Sequence, residues 1–209
     1  MSKQRAPIIP LTALALAVLL VAAGWQAGWS EESVRIVVRW TAKIAVVLFA
    51  SAFAASSLRV FWRNPTTRFL LANRRRLGLA FALSHSVHLM ALVVLGVAFP
   101  SPFVDDLNAV TLVGGGLAYV FMFAMAATSN DAAVKKLGLP RWRTLHTIGS
   151  GYIWLIFAQS YTPRALEDPA AVPFAALLFG VLGLRLARRL RVRREAARRS
   201  VGQPDQSVV

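Results

Sequence analysis

The chain has 209 residues, 24 Lys and Arg against 9 Asp and Glu, a net charge of +15, and 56% hydrophobic residues. A mean hydropathy of +0.55, with charge gathered into short stretches, excludes an ordinary soluble domain, whose apolar share is about 45–50%, and points to an integral membrane protein. The lack of cysteine excludes a disulfide framework, a thiolate metal site and a cysteine-ligated iron–sulfur cluster.

Six apolar stretches of about 20 residues predict an all-α membrane bundle of six transmembrane helices. They cover residues 7–28, 34–58, 77–99, 107–127, 142–161 and 170–187. The first follows Lys3 and Arg5 and runs into Ala22-Ala23-Gly24. Its apolar stretch exceeds a signal-peptide core of about 7–15 residues, so it reads as an uncleaved span. The second carries Arg35, Arg39 and Lys43 at i, i+4 and i+8, one face near its outer end. Arg35 and Lys43 read as interfacial anchors, while Arg39 lies between them and is a candidate partner for a buried carboxylate.

The third span, LGLAFALSHSVHLMALVVLGVAF, holds His85 and His88, which share a face at i and i+3. The fourth contains Gly114-Gly115-Gly116, read as a close helix packing point. The fifth opens on Trp142 and His146, and the sixth leads into Arg185, Arg188, Arg189, Arg191, Arg193, Arg194, Arg198 and Arg199. Residues 1–190 therefore read as one membrane domain and 191–209 as a basic, partly disordered tail. Trp25, Trp29, Trp40, Trp62 and Trp142 lie near predicted interfaces and read as an aromatic belt.

Charge sets the orientation. Of the Lys and Arg, all but Arg35, Arg39, Lys43 and Arg164 fall in the tails and the loops after spans two and four. Glu31, Glu32, Asp105, Asp106, Glu167 and Asp168 fall in the other loops. By the positive-inside rule both termini are expected in the cytoplasm of a cell bounded by an inner membrane. The net charge is thereby explained by lipid, at about 1 kcal/mol per juxtamembrane cation, and no nucleic-acid partner is needed.

An ionisable side chain in hydrocarbon is costly and needs a partner. His85, His88 and His146, the chain's three histidines, fall on two spans that run the same way. Imidazoles facing one another from two helices hold a metal centre, most often heme iron. Counted from the predicted helix starts, His85 and His88 lie about 12 and 16 Å deep and His146 about 6 Å deep. The level is closer for His85 than for His88. Interhelical hydrogen bonding is the competing reading for all three.

The stretch Arg74-Arg75-Arg76-Leu77-Gly78-Leu79 followed by His88, with Thr128-Ser129-Asn130, Leu137-Gly138 and Trp142-Arg143-Thr144-Leu145-His146, resembles the ferric reductase-like transmembrane domain family. The resemblance covers spans two to five and is closest to the short bacterial branch, the heme-binding membrane subunits of methionine sulfoxide reductase systems. It implies a six-helix core holding b-type heme through histidines of the third and fifth helices. By position, His88 matches the third-helix ligand and His146 the first fifth-helix histidine. The second fifth-helix position is Gln159, a poor iron ligand, so one heme is expected, and His85 has no assured counterpart in that short branch.

The expected function is therefore a membrane heme b protein passing electrons from a separate flavoprotein reductase or a quinol to an acceptor, which the resemblance places in the periplasm. Heme b and, secondarily, quinone are the expected cofactors, with His85, His88 and His146 as candidate iron ligands and Arg39 as a candidate propionate partner. No catalytic residue is expected in this chain. A tail of about 20 residues cannot form a flavin- or nucleotide-binding domain. The alternative is a heme-free relative with a structural or assembly role, which Gln159 favours and the retained histidines disfavour.

Overall fold

The computed structural model describes residues 6–101 and 109–201, and among these every regular element is helical. The helices are α1 (Ile8–Ala27), α2 (Glu31–Phe61), α3 (Pro65–Ala72), α4 (Arg74–Ala98), α5 (Ala109–Ala127), α6 (Asp131–Leu137), α7 (Leu139–Glu167) and α8 (Val172–Val201), with a 3-10 turn, Pro169–Ala171, before α8. Residues 107 and 108 of the expected fourth span, the Asp105-Asp106 loop and the chain from 202 onward lie outside the described residues.

Local chemistry sets the boundaries. Ser30 and Ser33 form a reciprocal capping box at the start of α2, with Glu31 and Glu32 in its first turn where the helix dipole favours them. Asn64 and Thr67 repeat the device for α3, with Pro65 in its first turn. Asn130 caps α6. Gly138, at φ +77°, turns the chain from α6 into α7, a conformation open to glycine at little cost.

Among the described residues four helices are long and apolar enough to cross a membrane: α1, α2, α4 and the stretch Pro169–Arg198 containing α8. A fifth crossing is available if Thr111–Ala127 and Asp131–Leu137, bent by 104°, count as one span. The protein is thus a multi-pass membrane protein. The helix α7 has 29 residues, about 43 Å, ample in length, but it is not among the helices apolar enough to span. Thr144, His146, Thr147, Ser150, Gln159 and Ser160 dilute its hydropathy.

The hub is α2, which packs along α4 and against α8. Small residues let α2 and α4 approach: Thr41, Ala45, Ala80 and Ser84 are fully buried, and the Ser84 hydroxyl donates to the Thr41 carbonyl at 3.0 Å. The helix α7 packs between α5 and α8. At the centre, Phe49 lies 5.3 Å from Phe53, 5.4 Å from Phe81 and 5.5 Å from Phe157, ring centre to ring centre. This aromatic core divides the bundle into an acidic end, bearing Glu31 and Glu167, and a basic end, bearing Arg74 and Arg185.

Candidate functional site

The two α4 histidines stand side by side above the aromatic core. Their rings are parallel, 4.9 Å apart and 3° from coplanar orientation. His85 also stacks on Phe81 at 5.5 Å and on Tyr119 of α5 at 4.9 Å, and it meets the edge of Phe157 of α7 at 5.4 Å.

Their hydrogen bonding differs. The Thr41 hydroxyl donates to the Val37 carbonyl at 2.7 Å, so its oxygen accepts from His88 Nδ1 at 3.1 Å, and the same nitrogen donates to the Val38 carbonyl at 3.0 Å. Nδ1 therefore carries the proton and Nε2 keeps its lone pair, the arrangement that prepares an imidazole as a metal ligand. His85 Nδ1 is buried with no partner, as is the Tyr119 hydroxyl. An orphaned buried polar group costs about 1–3 kcal/mol.

His146 belongs to a separate network at the basic end. The Thr128 hydroxyl donates to the Ala124 carbonyl at 2.7 Å and accepts from His146 Nε2 at 3.2 Å. The Trp142 indole N–H donates to the Thr128 carbonyl at 3.0 Å, and its ring lies 4.2 Å from that of His146. Thr128 and the Trp142–His146 stretch, on either side of α6, are thus in direct contact. The one polar atom of Trp142 is used within the chain, on the residue that follows α5. Trp25, Trp29, Trp40 and Trp62 are exposed, as a belt requires.

Depth separates the two groups. Phe157, the α7 residue level with His85, is eleven positions beyond His146, about 16 Å along the helix. Gln159 is exposed near that same level. The fold brings His85 and His88 together and keeps His146 apart. Among the described residues no three His, Asp or Glu converge on a bare metal ion.

The second-span cations spread outward. Arg35 pairs with Glu31 at 2.6 Å, and Lys43 lies 5.1 Å over the Trp40 ring. Arg39 is exposed and donates to the Arg35 carbonyl at 3.3 Å, one residue from the Val38 carbonyl that holds His88. In the glycine triplet, a Cβ at Gly114 would meet Ile156 at 3.2 Å, a close approach between α5 and α7. Gly149 is tighter still, 3.0 Å from Met125 Sδ. Sequence reasoning missed Tyr119, whose one signal was an aromatic hydroxyl in an apolar span.

Comparison with known proteins adds an independent line. The chain is 27% identical over 180 residues to the protein-methionine-sulfoxide reductase heme-binding subunit MsrQ of Ralstonia nicotianae, covering 84% of this chain and 82% of that protein. It is 29% identical over 185 residues to the protein of the same name from Polaromonas naphthalenivorans, covering 83% and 81%. The chain is similar to heme-binding MsrQ subunits. This similarity matches the resemblance seen in the sequence. No protein-family model matches the chain, and no solved structure does.

The residues of α4 fit a heme iron: His88 has its proton fixed on one nitrogen and the other free. His146 does not fit as the second ligand of that same iron in this packing, because it stands about three turns toward the basic end.

Proposed function

We propose that this protein is a six-span heme b protein of the bacterial inner membrane, with both termini cytoplasmic, that passes electrons between a separate donor and an acceptor. The observation that carries the reading is the His88 imidazole, locked by Val38 and Thr41 with Nε2 unencumbered, in a chain similar to two heme-binding subunits. Heme, when bound, supplies one-electron redox chemistry.

The residues have separate tasks in this reading. His88 ligates from α4, and the Val38 carbonyl and Thr41 hydroxyl hold its tautomer and raise its basicity. Phe81, Phe157 and Tyr119 keep the site apolar, which excludes water and tunes the potential. Arg39, held by a single 3.3 Å bond to its own helix, would pair with a heme carboxylate. His146 is the α7 candidate, and it would reach the iron that His88 would hold only with α7 shifted by about three turns along the bundle. In this reading α7 is also a span, its 29 residues being long enough to cross. A flavoprotein or quinol is the donor and a periplasmic redox protein the acceptor.

Oxidised and dithionite-reduced absorption spectra of protein purified from heme-replete cells test this reading. About one b-type heme per chain, lost in His88→Ala and kept in His85→Ala, is expected. Loss in His85→Ala alone overturns the ligand assignment, and an unchanged spectrum in His146→Ala removes α7 from ligation. A chain without heme supports the second reading, a structural or assembly protein, which Gln159 and the depth of His146 favour.

A further inference from the structure

Three guanidinium groups from two helices descend on one turn of α2 at the basic end. Arg74 of α4 donates from Nε to the Ala52 carbonyl at 3.0 Å. Arg188 of α8 donates from Nη1 to the Ser56 hydroxyl at 3.0 Å. Between them the Arg185 guanidinium lies 4.1 Å over the Phe53 ring, and its Nη1 is buried with no hydrogen-bond partner. Arg74, Arg188 and Arg189 are all within electrostatic reach of Arg185. Like charges gathered at a low-dielectric surface repel, and a buried guanidinium N–H without an acceptor adds the cost of its desolvation.

Among the described residues no carboxylate is paired with these three guanidinium groups. Among the described residues the acids at this end are Asp131, bridged to Arg75, and Glu195, bridged to Arg191. The chemistry that satisfies the cluster is an oxyanion with several acceptor oxygens, which guanidinium forks bind in preference to point contacts.

Position identifies its source. Ser56 and Ala52 are two and six residues inside the expected span end at Leu58, about 3 and 9 Å, and exposed Trp62 marks the interface beyond. Leu186 and Leu190, exposed on α8 beside the cluster, give acyl chains an apolar surface. Basic pockets between helices at this level hold lipid head groups. We propose that Arg74, Arg185 and Arg188 form a binding site for the phosphate of an anionic phospholipid from the leaflet at the basic end. The remaining tail arginines meet the membrane surface as a diffuse charge, whereas these three select one lipid.

The test is phospholipid retained by the full chain after detergent washing, read by native mass spectrometry beside heme absorbance on the same samples. Wild type is expected to keep an anionic phospholipid. Single Arg→Gln changes at 74, 185 or 188 are expected to weaken retention about fivefold each, and Arg188→Lys to retain part of it. Vesicles of phosphatidylcholine mixed with phosphatidylglycerol are expected to raise the unfolding temperature above that in phosphatidylcholine alone, and Arg188→Gln to cancel the rise.

Equal retention in wild type and variants, or no phosphatidylglycerol effect on wild type, overturns the proposal. So does stabilisation by inorganic phosphate in phosphatidylcholine equal to that by phosphatidylglycerol, which assigns the site to a soluble phosphate. Loss of heme with lipid unchanged assigns the arginines to heme carboxylates and also overturns it. Lipid retained by a heme-free chain leaves this site standing and overturns the function proposed above.

Discussion

The His85–His88 pair and the His146 network use the same residue type in opposite ways. The α4 pair sits on the aromatic core with rings parallel at 4.9 Å, and His88 Nδ1 bonds to a backbone carbonyl and a hydroxyl of α2. His146 sits half-buried at the basic end, its Nε2 on a hydroxyl and its ring on an indole. A carbonyl acceptor fixes the imidazole proton and leaves the far nitrogen available. The Thr128 hydroxyl occupies Nε2 of His146, so ligation through that atom has to displace a hydrogen bond. Environment, rather than the presence of a histidine, separates a prepared ligand from a packed one.

The largest expected effect breaks that comparison outright. His88→Ala is expected to abolish the reduced heme spectrum, whereas His146→Ala leaves an α4-ligated heme in place; the opposite pattern would make the basic end the ligating one. A smaller effect sharpens it. Thr41→Val keeps the shape of a fully buried residue but removes one of two acceptors on His88 Nδ1, and about tenfold weaker heme retention is expected by titration, with His85→Ala as the insensitive control.

Gly149→Val probes the other region. A Cβ there meets Met125 Sδ at 3.0 Å and Phe121 at 3.2 Å, so overpacking is expected to cost about 1–3 kcal/mol in detergent unfolding while the His88-dependent spectrum keeps its shape. A changed spectrum would couple the two ends. The smallest effect is at Arg39→Gln, expected to weaken heme retention a few-fold or shift the midpoint potential through a lost carboxylate contact. An unchanged titration would return Arg39 to interfacial anchoring.

Some of this was legible in residues alone because it depends on composition along the chain. Helix α4 begins at Arg74 and α2 at Glu31, close to where the apolar stretches open, since apolar length and capping residues act locally. The likeness to heme-binding subunits was carried by short motifs, and two of them, Thr128 and Trp142 to His146, meet in space. The bend of 104° between Thr111–Ala127 and Asp131–Leu137 was not legible, nor was the bond from Trp142 to Thr128. Both depend on which neighbour offers an acceptor.

Depth divides the two kinds of knowledge most clearly. Sequence by itself determined that the chain is helical, membrane-embedded, strongly basic at one end and equipped with two histidines sharing a face, because hydropathy, charge and the 3.6-residue period are properties of consecutive residues. Only the tertiary structure decided that Phe157 rather than His146 reaches His85, that His88 finds Val38 and Thr41, and that Arg74, Arg185 and Arg188 share one turn of α2. Those outcomes depend on how far one helix slides along another. That register is set by side-chain volumes and small-residue contacts between distant segments.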